Sequence, residues 1–212
     1  MTSPRQHPGT VASSVDDNVG FHFTHDTTLT WRRPPGCHAL HVDYILPPDV
    51  FADPYELDLR ADDYTYTIDA YPDLERPVSA VEQRNTRLRL DVKLPSDVEH
   101  AEGVTEVALP LHGRYGLPSS RPRGEAYAVA YVPPPQAFWE CGKGQDIFTI
   151  PLASAPSAKD VPLVIPIGLS DDLAFVQTGT ALTVLAVFCY MAFVFSKVHN
   201  RLGIRLYQSK RE

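Results

Sequence analysis

In the stretch "RLRLDVKL", Arg87 to Leu94, apolar and charged residues alternate without a break. Leu88, Leu90, Val92 and Leu94 fall on one face and Arg87, Arg89, Asp91 and Lys93 on the other, the period of two that a half-buried antiparallel strand requires. Other short apolar runs recur at "FHFTH" near Phe21, "HALHVDYIL" (38–46), "YELDLRA" (55–61) and "YTYTIDAY" (64–71). They continue at "VTEVALPL" (104–111), "EAYAVAYV" (125–132), "DIFTIPL" (146–152) and "VPLVIPIG" (161–168). Proline and glycine turns separate them, so the pattern predicts about eight strands in an all-β domain of β-sandwich type. Pro162 and Pro166 place the last run on a sheet edge or in an extended stalk.

The pattern changes once. Leu173 to Phe195, "LAFVQTGTALTVLAVFCYMAFVF", holds 23 residues without a charge, bounded by Asp171-Asp172 and Lys197. At about 1.5 Å per residue such a helix reaches roughly 35 Å, enough to cross a hydrocarbon core of about 30 Å. A transmembrane α-helix is therefore predicted at 173–195. Within it, Gly179 and Thr183 have small-xxx-small spacing, which suits helix packing, while its threonines could equally bond their own backbone.

Four segments follow: a flexible, Ser/Thr-rich arm at 1–20, a β domain at 21–172, the span at 173–195 and a tail at 196–212. With 43% hydrophobic and 10% aromatic residues in 212, the β domain can bury a sizeable core. The tail carries Lys197, Arg201, Arg205, Lys210 and Arg211 against Glu212, a local +4, which leaves −11 before it because the chain totals −7. Basic flanks stay cytosolic, so the acidic β domain is expected in the lumen or outside the cell. The first twenty residues have no apolar signal-peptide core, so translocation would fall to the span or to sequence preceding Met1. Of the three cysteines, Cys189 lies in the span, while Cys37 and Cys141 share the oxidising side. A Cys37–Cys141 disulfide and two buried free thiols both fit. No Asn-x-Ser/Thr acceptor follows Asn18, Asn85 or Asn200, so no N-glycosylation is expected.

Enzymatic chemistry finds little support. His22 with His25, and His38 with His41, are spaced three apart and on a strand would point to opposite faces, so neither pair chelates a metal alone and no metal site is expected. There is no nucleophile elbow and no phosphate loop, and an acidic domain lacks the basic stripe nucleic acid requires. The remaining concentration of polar chemistry is "LPLHGRYGLPSS", Leu109 to Ser120. On a continuing strand His112 and Arg114 would share a face and Tyr115 would take the other, so the three do not converge on a substrate. Arginine can instead gather carbonyls or a carboxylate while tyrosine packs its ring.

That run resembles the Pro-x-His-x-Arg-Tyr-x-x-Pro signature of the PIG-X/Pbn family, with Pro110, His112, Arg114, Tyr115 and Pro118 in place. "YVPPPQAFWEC", Tyr131 to Cys141, is similar to the proline, aromatic and cysteine segment that follows it in the family. The likeness reaches most of residues 21–212. It departs at Gly113, where a larger residue is usual, and in lacking a signal peptide and sequons. The resemblance implies a non-catalytic, single-pass subunit of glycosylphosphatidylinositol (GPI) mannosyltransferase I in the endoplasmic reticulum (ER) membrane. Such a subunit stabilises a polytopic PIG-M-type partner that adds the first mannose from dolichol-phosphate-mannose. No cofactor and no soluble small-molecule substrate are implied. His112, Arg114, Tyr115 and Pro118 would brace the domain or touch the partner. A broader luminal quality-control or chaperone-like role is the competing expectation.

Overall fold

The alternating runs become strands of two main sheets. The computed structural model describes residues 9–70, 72–94, 102–120, 126–142, 146–153 and 159–209, of which 146 and 200–209 by backbone alone. Eleven strands lie among them: β1 (Gly9–Asp16), β2 (His22–Arg32), β3 (Cys37–Leu46), β4 (Val50–Phe51), β5 (Tyr64–Ile68), β6 (Thr86–Val92), β7 (Glu102–Gly113), β8 (Tyr127–Val132), β9 (Gln136–Cys141), β10 (Asp146–Ile150) and β11 (Val161–Pro166). One sheet runs β1-β2-β7-β4, a second β10-β9-β3-β6-β5, and β11 pairs with β8 alone. The named pairs are antiparallel.

Inward side chains of both sheets meet in one core. Trp31 of β2 packs edge-on against Trp139 of β9 at 5.9 Å. Thr27 and Tyr44 exchange a buried hydroxyl hydrogen bond of 2.8 Å between β2 and β3. The Tyr64 hydroxyl donates to the Ala108 carbonyl at 3.3 Å, linking β5 to β7. Along β6 and into Lys93 after it, Leu88, Leu90 and Val92 are buried while Arg87 and Lys93 are exposed and Arg89 and Asp91 half-buried, as the alternation predicts. Ala130, Val132, Leu163 and Ile165 extend the same core from the β8–β11 pair.

The outer margin of β11 has a consistent chemistry. Asn18 accepts from the Val164 N–H at 2.7 Å and, through its side-chain amide, donates to the Pro162 carbonyl at 3.0 Å. Gly20 donates to the Val164 carbonyl at 2.9 Å. Pro162 and Pro166, on the same side of the strand two residues either way, have no N–H to offer.

Two expectations need correction. "YELDLRA" is not a strand: Pro54–Asp58 form a short helix, α1, with Asp53 as N-cap accepting from the Tyr55 N–H at 2.9 Å. Proline at the first helical position and Glu56 at the third complete a helix-start signature that outweighs the apolar spacing. Gly9–Asp16 also departs from the flexible-arm expectation, since all eight residues pair with β2, Val11 opposite Leu29. Residues 1–8 of that arm lie outside the described residues, as do 210–212 of the tail.

The chain divides after Gly168 into the β domain and a helical unit. The latter holds α2 (Leu173–Ser209), 37 residues long. Its apolar portion, within Ser170–His199, is long enough to cross a membrane and has no part buried by the chain itself. Thr178 and Thr183 donate to the carbonyls of Ala174 and Gly179 at 2.8 and 2.9 Å, so both hydroxyls are satisfied within the helix.

His25 gives the β domain a pH dependence. It is fully buried, neither ring nitrogen has a partner, and its ring meets Tyr44 edge-on at 5.4 Å. Desolvation lowers its pKa to about 4. The unfolded chain, with an ordinary histidine near 6.5, binds the proton more tightly. The neutral ring's full contribution is thus present above about pH 6.5 and lost as pH falls toward 4. The expected loss is about 2 kcal/mol between pH 7 and 5. Urea unfolding of the detergent-solubilised chain at those two pH values should show it, and His25→Leu should flatten the dependence. Asp26 works the other way closer to its own titration, because burial and then Asp16 and Glu106 raise its pKa.

Candidate functional site

β7 carries the motif to the end of its sheet. His112 lies opposite His22 of β2 on one side and Phe51 of β4 on the other. Gly113, last in the strand, donates to the Phe21 carbonyl at 2.8 Å, and Arg114 donates its backbone N–H to Asp49 at 2.8 Å. Gly113 has a packing reason: a Cβ there would sit 2.9 Å from the Ile165 side chain of β11. The larger residue usual in the signature would need Ile165 to move.

Arg114 is buried to 7% exposure, yet its charge is directed at backbone. One guanidinium nitrogen donates to the carbonyls of Asp73 and Arg76, the latter at 3.0 Å. The guanidinium plane lies over the Phe51 ring, 4.5 Å from its centroid. Desolvation lowers the arginine pKa and Asp73 opposes that shift, but a guanidinium starting so high remains charged at neutral pH. Phe51 in turn stacks on His112 at 5.2 Å, so His112 and Arg114 share Phe51. His112 Nε2 lies 2.9 Å from a Glu56 carboxylate oxygen of α1.

Tyr115 points elsewhere. The residue is 68% exposed and its ring rests on Phe21 at 4.7 Å, while its carbonyl accepts the Val78 N–H at 3.0 Å. Together Arg114 and Tyr115 pin the 73–78 segment against the sheet through three backbone contacts. Pro118 is exposed, and next to it Ser119 donates its N–H to the Gly168 carbonyl at 2.8 Å. The motif segment thus runs alongside the end of the β domain. A cavity of about 190 Å³ lies beside it, lined by Phe51, Asp73, Arg76, Arg84 and Arg114 among others. Arg76 and Arg84 are paired there with Asp73 and Glu82.

Cys37 and Cys141 are directly opposed on β3 and β9 and joined by a disulfide. His22 is exposed and His25 buried, on opposite faces of β2. His38 is exposed, whereas His41 is held between Asp91 at 2.6 Å and Glu140 at 2.9 Å. Nothing local in the sequence brings His22, Phe51 or Glu56 to His112, because register between segments dozens of residues apart leaves no local trace. Asp53-Pro54 with Glu56 was the readable signal for α1.

Residues 18–161 match the PIG-X / PBN1 family, about two thirds of the chain. The chain belongs to the PIG-X / PBN1 family. Among curated members, "Protein pbn1" of Emericella nidulans (strain FGSC A4) is 30% identical over 118 residues, covering 52% of this chain and 22% of that protein. "Protein pbn1" of Aspergillus oryzae is 31% identical over 154 residues, covering 65% and 27%. The chain therefore spans about a quarter of the length of these PIG-X / PBN1 relatives. The PIG-X / PBN1 match takes in β2 through β10, including the whole motif. Among solved structures, a cohesin module from a Clostridium perfringens ATCC13124 family 33 glycoside hydrolase aligns with 78% of this chain and all of its own. Its TM-score is 0.29 and its identity 13%, too loose a likeness to say anything about this fold.

Proposed function

We propose that this chain is a non-catalytic, stabilising subunit of the ER GPI mannosyltransferase I complex. It supports a PIG-M-type catalytic subunit that transfers the first mannose from dolichol-phosphate-mannose to the GPI precursor. The β domain faces the lumen, α2 crosses the membrane once and the basic tail lies in the cytosol. The observation that carries this reading is the PIG-X / PBN1 match across residues 18–161.

Physical features support its parts. The motif's strongest hydrogen-bonding group, Arg114, is committed to two carbonyls of its own chain, which suits a bracing role better than contact with a substrate. A polyisoprenoid-linked sugar needs a site formed at the bilayer, and the single candidate span among the described residues cannot enclose one by itself. The Cys37–Cys141 disulfide suits an oxidising compartment, and the charge flanking the helix favours that same side for the β domain.

A mild-detergent pull-down with the full chain, read by mass spectrometry, is expected to return one dominant multi-pass protein. Depleting the chain should lower that partner's steady-state level and the first mannosylation step several-fold. Mannosyl transfer by the purified chain alone would overturn the proposal, and a broad set of client proteins would favour the quality-control reading.

A further inference from the structure

Three elements deliver one metal-ligating side chain each to a single spot. His22 of β2 and His112 of β7 are directly opposed across the ladder, their rings edge to face with centroids 4.6 Å apart. Glu56 of α1 reaches the same place, 2.9 Å from His112 Nε2. One ligand atom from each residue lies within 4.8 Å of the other two. Around a tetrahedral zinc ion with bonds of about 2.0–2.1 Å, neighbouring ligand atoms sit roughly 3.3 Å apart. Closing this set therefore takes side-chain rotation by His22, with the His112 and Glu56 atoms parting slightly.

Two of the three ligands are already held. His112 is held by Phe51 stacking on its ring, and the Glu56 carboxylate, presented by a capped helix start, by its contact with His112. His22 is exposed, so the spot is open to an incoming ion on that side. Two imidazoles and one carboxylate are a donor set for zinc and its neighbours rather than for calcium or magnesium, which take oxygen. In the hydrogen-bonded arrangement, a proton between His112 and Glu56 occupies the region the cation would take.

We propose that His22, Glu56 and His112 form a binding site for a zinc-class divalent cation, completed by water. The ion would tie α1 to the β2–β7 ladder. The site goes beyond the proposed role in mannosylation while sharing His112 with the motif, and metal binding by the purified chain is measured without any mannosyltransferase present.

Cobalt(II) titration of the detergent-solubilised full chain, purified without a histidine tag, tests it. One equivalent is expected to bind with the visible absorption of a four-coordinate ion, and zinc should displace it. His22→Gln and Glu56→Gln should each weaken binding at least tenfold, while His38→Gln, an exposed histidine on another strand, should leave it unchanged. Zinc should raise the thermal midpoint of the wild-type chain but not that of His22→Gln, as a ligand of the folded state alone would. Failure to bind one equivalent, or binding that survives both His22→Gln and Glu56→Gln, would overturn the proposal. His22 is exposed, so its variant is expected to fold and the comparison remains informative.

Discussion

Replacing Cys37 and Cys141 together by serine is expected to lower the stability of the β domain by about 4 kcal/mol. The bond closes a loop with a sequence separation of 104, and confining a loop of that length removes a large share of the unfolded chain's freedom. Both cysteines are buried and register β9 against β3, beside an irregularity between Cys37 and Ala39. A domain whose whole stability is about 5–15 kcal/mol would lose a large fraction of it. Denaturant unfolding in detergent measures the effect, and reductant should reproduce it in the wild-type chain while leaving the double-serine variant unmoved. Equal midpoints for wild type and variant would show that the cross-link carries no stability.

Arg114→Ala has the second-largest expected effect, a loss of about 3 kcal/mol. It deletes two charge-assisted hydrogen bonds and the stack on Phe51, and leaves the Asp73 and Arg76 carbonyls without their donor. Arg114→Lys should recover only part of this, since an ammonium cannot spread over a ring and meet two carbonyls in the plane of a guanidinium. Tyr115→Ala provides the contrast. Its ring is mostly exposed on Phe21, so its cost to folding is expected to stay near 1 kcal/mol or below. Unfolding midpoints and partner recovery, measured side by side, separate the two roles. Loss of fold in Arg114→Ala fits an arginine that braces, whereas partner loss with an intact fold in Tyr115→Ala fits a tyrosine that makes contact.

Much of the architecture was legible because it follows from local periodicity. The two faces of β6, the proline-bearing edge of β11 and the apolar run of α2 can each be read residue by residue. β1 was not legible: "GTVASSVD" is polar and small, and it is a strand because β2 lends it a partner, burying Val11. In α1, apolar spacing competed with an Asp-Pro cap, and the cap prevailed. For the motif, the sequence supplied the chemistry of Arg114 and Tyr115 but not their partners. The two carbonyls, Phe21 and Phe51 come from segments whose proximity is a property of the folded topology. The pairing of Cys37 with Cys141 was open for the same reason, as separation along the chain says nothing about separation in space.

The margin of β11 bears on how such a domain avoids associating with copies of itself. At positions 162, 164 and 166, the outward donors are absent by chemistry at the prolines and already engaged by Asn18 at Val164. A second polypeptide seeking to extend the sheet there finds no ladder to continue, so strand-by-strand polymerisation is blocked at this border. Copies of the β domain therefore cannot seed fibrils by strand addition through that flank, even at high local concentration.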